Sequence, residues 1–561
     1  MAAKGKNGSG APAMEQLVDQ VKDAVKAGRI ADAMELSRAA LSRGSVHPLF
    51  LNLRAFWLED RNRPREALAD LQLAAKMAPD DALLHNSLGL CLTKFGRWDE
   101  AVAAFESAIA DETRLVRDKV DLTAAVYFNL GSARECAGDL EGAKSAFERS
   151  RTLDPQNPQP LSSLASLAAR RSDWDGARTL AEQALAADPN QFLALTTLAN
   201  TAVATGDLAN AGTLISSALG NPTLPPVDRA MMLTLLGDLR HAQERYGDAF
   251  DAYAQGNTLR RQLFAGQYAV PGQENSATFT QWLTGYLDRA PRSTWTVTDK
   301  PESATGPAVT SHVFLLGFAR SGTTLLENVL ASHPGIKTLE EKEFLAEAAQ
   351  EFLSSGKGPD KLAAADEATL ERHRRIYWNR VAEHCGDVAN KVFVDKRPFG
   401  AMRLPVIAKL FPTAKILFAV RDPRDVVLSC FRRQFLMSAP MYEFLELRSA
   451  ARFYALLMQL SAVCREKFGQ PWQEARHEAL IDDFDGEMRR ICTFIGVEWS
   501  GEMGDFAQKS KDRAIATASA AQVVRGLNRE GVEQWRHYRE RLAPVFPTLR
   551  PWIEKFGYPP Y

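Results

Sequence analysis

Residues 313–333 read VFLLGFARSGTTLLENVLASH, and this stretch decides the fold of the C-terminal half. It opens with an apolar run, residues 313–316, which is typical of a buried parallel strand. A loop of small residues, 317–322, follows, and helical spacing resumes at Thr323. A strand, a tight loop and a helix point several backbone N–H groups and the positive end of the helix at one spot, which favours phosphate binding. Arg320 adds a cationic fork for anionic oxygens.

The loop imitates a nucleotide-binding P-loop but departs from it at one position. Gly317 and Gly322 have the spacing of Gly-x-x-x-x-Gly-Lys-Ser/Thr, yet Thr323 occupies the lysine position. A nucleoside triphosphate would therefore lack its usual γ-phosphate ligand, which argues against a nucleotide kinase-like or other P-loop enzyme. A glycine-containing turn that serves packing alone is the other interpretation of the loop.

Apolar strand-like runs alternate with helical spacing through the C-terminal half, at residues 313–316, 392–394 and 416–420. This alternation predicts an α/β, P-loop-like domain with a mainly parallel sheet. Ligands of such sheets bind at the carboxyl ends of the strands. We therefore expect Arg320, Lys396 and Arg421, which follow the three strands, to converge on one crevice.

The N-terminal half contains an internal repeat. Alanines recur at steps of 34, 34, 42, 34, 34 and 38 residues, at Ala33, Ala67, Ala101, Ala143, Ala177, Ala211 and Ala249. A period of 34 with small residues at fixed phase is typical of stacked helical hairpins. With the Leu-Gly pairs at 88–89 and 130–131, the pattern resembles tetratricopeptide repeats. It predicts an all-α superhelix of about seven repeats, residues 14–263, after a flexible N-terminus, 1–13, and before a linker with a short helix, 264–311.

Composition excludes several classes of protein. The 561 residues carry a formal net charge of −1, so nothing indicates bulk attraction to nucleic acid. The six cysteines are scattered without a C-x-x-C pair, which favours reduced core residues over disulfides or a zinc site. The N-terminus lacks the apolar region of a signal peptide, and no apolar run reaches the roughly 18 residues of a membrane span. We therefore expect a cytoplasmic protein.

A second motif lies about a hundred residues after the loop. Arg421 ends the third strand-like run, and Ser429 follows eight residues later on a predicted helix. With the loop sequence ARSGTT, residues 319–324, this pair resembles the two cofactor signatures of sulfotransferases, and the resemblance covers about residues 312–561. It implies a sulfotransferase fold and 3′-phosphoadenosine-5′-phosphosulfate (PAPS) as the donor. The loop residues Arg320, Ser321, Gly322, Thr323 and Thr324 would hold the 5′-phosphosulfate, and the Arg421–Ser429 pair the 3′-phosphate.

Three further segments resemble tyrosylprotein sulfotransferases in particular. His333-Pro334 precedes Leu339-Glu340-Glu341, residues 395–399 read DKRPF, and residues 518–525 read ASAAQVVR. The resemblance implies that Glu341 is the general base and that Lys396 and Ser519 contact the transferred sulfuryl group. It also implies 3′-phosphate contacts from Arg525, which replaces a lysine, and from Arg433, for which the neighbouring Arg432 is the alternative.

Departures from that family concern the acceptor more than the chemistry. Ala319 replaces a proline, and His477 stands where a tyrosine is common. The Golgi members of the family carry a membrane anchor, which we do not expect here, and they do not carry the tetratricopeptide half. We expect a protein or peptide tyrosine as the acceptor, recruited by the repeat groove, although the array could equally be a spacer or an assembly element. A small-molecule or glycan acceptor, or a tetratricopeptide scaffold with an inactive nucleotide-binding domain, are the alternatives.

The chemistry has its own requirements. Sulfuryl transfer to a hydroxyl needs a base, fixed cations for the developing charge, and in-line geometry. Glu341 would supply the base, while Arg320, Lys396 and Ser519 would stabilise the charge without a metal. If the segment is helical, Glu340 and Glu341 point about 100° apart, so only one can face the crevice. His333 is interpreted as structural and is the next candidate for the base.

Overall fold

The computed structural model describes residues 11–61, 63–110, 112–295, 306–354, 356–511 and 526–560. By its internal contacts the chain divides into two units. The first consists of Met1–Ala169 with Asp173–Thr197, and the second of Arg170–Ser172 with Leu198–Tyr561.

Helices arranged as consecutive pairs make up the N-terminal half, as the 34-residue period predicts. Their bounds are α1 Ala11–Lys26, α2 Ile30–Ser42, α3 Pro48–Glu59, α4 Pro64–Met77, α5 Ala82–Lys94, α6 Trp98–Ala108, α7 Glu112–Ala137, α8 Leu140–Leu153, α9 Gln159–Arg170, α10 Trp174–Ala187, α11 Phe192–Thr205, α12 Leu208–Gly220, α13 Pro226–Ala242 and α14 Tyr246–Tyr268.

The phased alanines lie where paired helices approach closely, and all seven are fully buried. Close approach of paired helices also explains the glycines of the Leu-Gly pairs. A Cβ on Gly89 would lie 2.5 Å from the Phe105 ring, and one on Gly131 would lie 2.6 Å from the Phe147 ring. Small residues at these positions therefore let the helices of each hairpin pack together, which confirms the prediction of tetratricopeptide repeats.

The last hairpin, α13 and α14, belongs by its contacts to the second unit. Helix α14 continues to Tyr268 and so passes the predicted end of the array at residue 263. Two helices follow it, α15 Ser276–Arg289 and α16 Arg292–Trp295.

The rest of the second unit contains a parallel five-stranded sheet of order β2-β3-β1-β4-β5. Its strands are β1 Ser311–Gly317, β2 Ile336–Glu340, β3 Val392–Arg397, β4 Lys415–Val420 and β5 Trp472–Arg476. The helices are α17 Thr323–Ala331, α18 Ala346–Leu353, α19 Gly358–Ala363, α20 Glu367–Cys385, α21 Leu404–Leu410, α22 Pro423–Arg432, α23 Ala439–Glu443, α24 Leu447–Phe468, α25 His477–Asp482, α26 Phe484–Ile495, α27 Phe506–Lys511, α28 Arg539–Leu542 and α29 Phe546–Lys555. Short 3₁₀ turns occupy Gly400–Arg403, Gly501–Asp505, Gln534–Tyr538 and Ala543–Val545.

The apolar run that begins at residue 313 forms the central strand. Val313 and Leu315 enter the core on one face of the sheet, and Phe314 and Leu316 enter the core on the other. This alternation follows from the two-residue period of a strand, and both faces are covered because the sheet is parallel. Strand β1 pairs with β3 on one side and with β4 on the other, so the carboxyl ends of these three strands are neighbours. The predicted α/β domain with a mainly parallel sheet is confirmed.

Two smaller observations complete the fold. None of the helices in the described ranges is long and apolar enough to cross a membrane. Four of the six cysteines are buried, but the expectation that all are core residues is wrong for Cys136, which is exposed, and for Cys385, which is half-buried.

Candidate active site

The loop between β1 and α17 has a backbone conformation that few sequences allow. Arg320 and Gly322 both have positive φ angles, 68° and 95°, and the Ser321 N–H donates to the Phe318 carbonyl at 3.2 Å. Helix α17 starts immediately after Gly322, with Thr323 and Thr324 buried in its first turn. The first N–H groups of a helix have no intrahelical acceptor, so those of α17 are available to an anion beyond the end of β1.

Arg320 is buried at this loop and is oriented by a second helix. Its Nε donates to Ser429 Oγ on α22 at 3.0 Å. Burial, together with repulsion from Arg433 and Arg421, lowers the pKa of Arg320 to about 9. The guanidinium is still charged at neutral pH, and a bound anion would relieve the repulsion between the three cations.

Arg421 follows β4 and bridges two chain segments. Its Nη1 donates to the Arg320 carbonyl at 3.1 Å, and its Nη2 donates to the Gly531 carbonyl. Its Nε is buried without a hydrogen-bond partner among the described residues. A buried donor in this state is costly, so an anionic oxygen at this position would be stabilised. Of the three predicted cations, Arg320 and Arg421 therefore converge, together with Ser429.

Arg432 and Arg433, which the sequence could not separate, have different surroundings. The Arg432 guanidinium lies 5.3 Å from the ring centroids of both Tyr253 and Tyr538. The Arg433 side chain is 40% exposed, and its Nη1 lies 4.0 Å from Asp238 Oδ2. Because the charge of Arg433 also acts on Arg320, Arg433 is the better placed of the two to contact an anion at the loop.

Lys396 is fully buried near the end of β3, where its ammonium contacts two carboxylates. Its Nζ lies 3.0 Å from Glu340 Oε1 and 2.9 Å from Glu341 Oε1. Burial alone would lower the pKa of Lys396, but the carboxylates of Glu341, Glu340 and Glu327 outweigh it and raise this pKa above its ordinary value. Lys396 therefore stays a cation, held beside the carboxylate predicted to be the base.

The local structure around Glu341 is a strand end and not a helix. Glu340 is the last residue of β2, and Glu341 follows it with a φ of 48° and donates its N–H to the Lys396 carbonyl at 3.1 Å. The left-handed residue breaks the strand alternation, so both carboxylates reach the same Nζ. The helical geometry behind the expectation that only one of them faces the crevice is therefore absent, and both carboxylates contact Lys396. Their side chains still differ in accessibility, since Glu341 is 41% exposed and Glu340 is 18% exposed.

Ser519 and Arg525 lie outside the described residues, but the chain that follows them is anchored at the site. Asp425 on α22 accepts hydrogen bonds from the N–H groups of Glu533 at 2.7 Å and Trp535 at 2.8 Å. Burial raises the pKa of Asp425 to about 7. These bonds, with the Arg421–Gly531 contact, bring the C-terminal segment back to the end of β4.

Two histidines have distinct roles. His333 Nδ1 accepts the Gly335 N–H at 3.0 Å and its Nε2 lies 3.0 Å from the Glu498 carbonyl, an arrangement that agrees with a structural role. His477 lies against the loop, because a Cβ on Gly322 would be 2.8 Å from its Nδ1. Burial, with repulsion from Arg421 and Arg320, holds the pKa of His477 well below its ordinary value. The sequence marked His477 as a departure from the family but gave no signal of this position.

Comparisons with known proteins agree with the two-part organisation. Residues 312–501 match the model of the sulfotransferase family, and residues 80–156 and 162–226 match two tetratricopeptide repeat models. An uncharacterized protein of Aquifex aeolicus is 27% identical over 256 residues, which are 44% of this chain and 33% of that protein. Protein-tyrosine sulfotransferase 2 of Gallus gallus is 24% identical over 266 residues, 44% of this chain and 70% of that protein.

Solved structures with similar parts include proteins of both kinds. A tetratricopeptide repeat protein from Parabacteroides merdae is 16% identical and covers 44% of this chain and 93% of its own, with a TM-score of 0.35. The sulfotransferase domain of the Synechococcus PCC 7002 olefin synthase is 19% identical and covers 43% of this chain and 91% of its own, with a TM-score of 0.31.

Proposed function

We propose that this chain, in which tetratricopeptide repeats are joined to a domain of the sulfotransferase family, transfers a sulfuryl group from PAPS to a hydroxyl acceptor. The observation that carries the proposal is the gathering of Arg320, Ser429 and Arg421 around the loop after β1. Two guanidinium groups and a hydroxyl, all hydrogen-bond donors beside a helix N-terminus, suit a ligand with two phosphate-like groups.

The donor would be held at both ends. The loop N–H groups and Arg320 would bind the 5′-phosphosulfate. The unpartnered Nε of Arg421, the Ser429 hydroxyl and the Arg433 guanidinium are candidates for the 3′-phosphate. Ser519 and Arg525 are assigned to the sulfuryl group and the 3′-phosphate on the sequence resemblance alone.

The reaction would use Glu341 and Lys396 as a pair. The Glu341 carboxylate takes the acceptor hydroxyl proton while the acceptor oxygen forms its bond to sulfur. The bond between sulfur and the bridging phosphate oxygen breaks, which leaves a sulfate ester and 3′-phosphoadenosine-5′-phosphate (PAP). Lys396, which stays protonated, and Arg320 offset the negative charge that develops on the sulfuryl and leaving oxygens.

We assign a protein or peptide tyrosine as the acceptor, since relatives such as the Gallus gallus protein carry that activity in their names. The partly exposed Glu341 carboxylate is compatible with an acceptor side chain that enters from solvent. A screen for transfer of radiolabelled sulfate from PAPS to tyrosine peptides, small phenols and glycans tests this assignment. Labelling of glycans alone would replace the tyrosine assignment with a glycan acceptor.

The 3′-phosphate contacts lead to a test with paired nucleotides. Replacing Arg421 and Ser429 together by alanine should weaken PAP binding by about a hundredfold or more, because each charge-assisted hydrogen bond contributes about 1.5–3 kcal/mol. Binding of adenosine 5′-monophosphate (AMP), which lacks the 3′-phosphate, should change much less in the same calorimetric titration. Ser429→Ala is needed as a separate variant, because Ser429 also orients Arg320. Equal losses for the two nucleotides would remove the 3′-phosphate assignment.

The repeat array leads to a test by truncation. If the array recruits a protein acceptor, deleting residues 1–206 should raise the KM for a full-length protein acceptor, because remote docking contributes binding and not chemistry. Turnover of a small phenol should stay within about twofold of the full chain, after thermal unfolding has shown that the truncated protein is folded. The cut precedes α12 and so keeps the last hairpin, which belongs to the second unit. Unchanged kinetics with protein acceptors would leave the array as a spacer or assembly element.

A further inference from the structure

The last hairpin of the repeat array binds the backbone in the last turn of α22 and just after it. Asn257 Nδ2 on α14 donates to the Phe431 carbonyl at 2.8 Å, and Arg260 Nη2 donates to the Phe435 carbonyl at 2.8 Å. Both side chains are buried, and they lie three residues apart on one face of α14. Two carbonyls on either side of Arg433 are therefore held by side chains from the array.

A second set of contacts involves a side chain of the same segment, that of Arg432. Arg432 lies between Tyr253 of α14 and Tyr538 of the C-terminal segment. The hydroxyl of Tyr253 donates to Asp238 Oδ1 on α13 at 2.7 Å, and the Tyr538 hydroxyl lies 2.7 Å from His241 Nδ1. Helices α13 and α14 thus fix both the backbone and the side-chain direction at the end of α22.

The end of α22 carries residues to which the proposed function assigns the 3′-phosphate. Ser429 is in its last turn and Arg433 directly follows it. The last carbonyls of a helix have no intrahelical donor, so this turn is easily displaced unless other groups bind them. Asn257 supplies such a donor to Phe431, which lies between Ser429 and Arg433. Displacement of about 1 Å at a binding group is enough to lose much of its contribution.

We propose that the last tetratricopeptide hairpin is a structural part of the donor site, in which Asn257 is a positioning residue that gives the site its preference for a 3′-phosphorylated nucleotide. The proposal rests on the proposed donor, PAPS. Asn257 contacts no reacting atom. It acts through the Phe431 carbonyl on Ser429 and Arg433, and Arg260 acts in the same way through the Phe435 carbonyl.

The full-length Asn257→Asp variant tests this proposal, because it keeps the size of the side chain and removes its N–H donor. Calorimetric titration should show PAP binding weakened by about tenfold, with AMP binding within twofold of the unsubstituted protein. Asn257→Ala should give the same pattern and serves if the aspartate variant does not fold. Thr258→Ala is the matched control, since Thr258 is exposed on the same helix and its hydroxyl donates within its own turn, to the Ala254 carbonyl. It should leave both affinities unchanged.

The selectivity between the two nucleotides separates this role from general packing. A general loss of packing at the end of α22 would weaken PAP and AMP binding alike, and that result would overturn the proposal while leaving the donor assignment intact. Unchanged PAP binding in both Asn257 variants would overturn it as well. If the unsubstituted protein itself fails to prefer PAP over AMP, the donor assignment fails, and the inference fails with it.

Discussion

Replacing Glu341 by glutamine should lower kcat by about 10²–10⁴-fold, the usual cost of removing a general base. The amide keeps the shape of the carboxylate and can still accept a hydrogen bond from Lys396, but it cannot take the acceptor proton. Glu341 is the more exposed of the two carboxylates at Lys396, so an acceptor hydroxyl can reach it. PAP affinity should stay unchanged, because Arg320, Arg421 and Ser429 are assigned to the donor. Steady-state kinetics and calorimetry on one preparation measure both quantities.

Glu340→Gln is the matched control for this prediction. Glu340 makes the same kind of contact with Lys396, at 3.0 Å, but it ends a strand and is more enclosed. We expect its substitution to cost less than about tenfold in kcat, through the loss of one charge beside Lys396. A large loss for Glu340→Gln with a small one for Glu341→Gln would move the base by one position. Near-normal turnover in both variants would exclude this segment from the mechanism and make His333 the next candidate.

Lys396→Met should lower kcat/KM by about 10²–10³-fold, in the range found when a single group that stabilises transition-state charge is removed. Methionine keeps most of the side-chain volume, so the fully buried position stays filled. The variant removes the cation that contacts Glu340 and Glu341, and it leaves the developing sulfuryl charge with less compensation. Activity measured with PAPS and the best acceptor from the transfer screen gives the value.

PAP affinity distinguishes the proposed role of Lys396 from a structural one. PAP carries no sulfuryl group, so its binding to Lys396→Met should remain within a few-fold of the unsubstituted protein. Lys396→Arg keeps the charge with a different geometry and should recover part of the activity. If PAP binding is lost to the same extent as activity, Lys396 has a structural role in the site. That result would contradict its role at the sulfuryl group.

The central strands and the loop after β1 were predictable because their signals are local. An apolar run that is buried on both faces, followed by a small-residue loop and a helix start, gives β1, the loop and α17 from adjacent residues. The phased alanines likewise predicted the hairpins, since each alanine lies where two helices pack closely.

The edge strands of the sheet were not predictable from the same signals. Strand β2 reads IKTLE, and glutamates at its end and just after it favour helix over strand. Strand β5 reads WQEAR and is mostly half-buried. Both take their structure from pairing with β3 and β4, and a tertiary partner of this kind overrides local preference.

The contribution of the repeat array to the site could not be predicted from the sequence either. Asn257 and Phe431 are 174 residues apart, and nothing in either segment marks the other as a partner. The same holds for Arg432 and Arg433, whose roles differ only because Tyr253 and Tyr538 enclose the first of them. Position in the folded chain, and not residue type, separates these two arginines.

The donor is the central claim, and calorimetric titration of the full-length protein with PAP and with ATP tests it most directly. Thr323 in place of the P-loop lysine and the cluster of Arg320, Arg421 and Ser429 lead us to expect at least about tenfold tighter binding of PAP, a difference of about 1.4 kcal/mol. ATP binding that equals or exceeds PAP binding would contradict the account and support a nucleoside triphosphate site at the same loop.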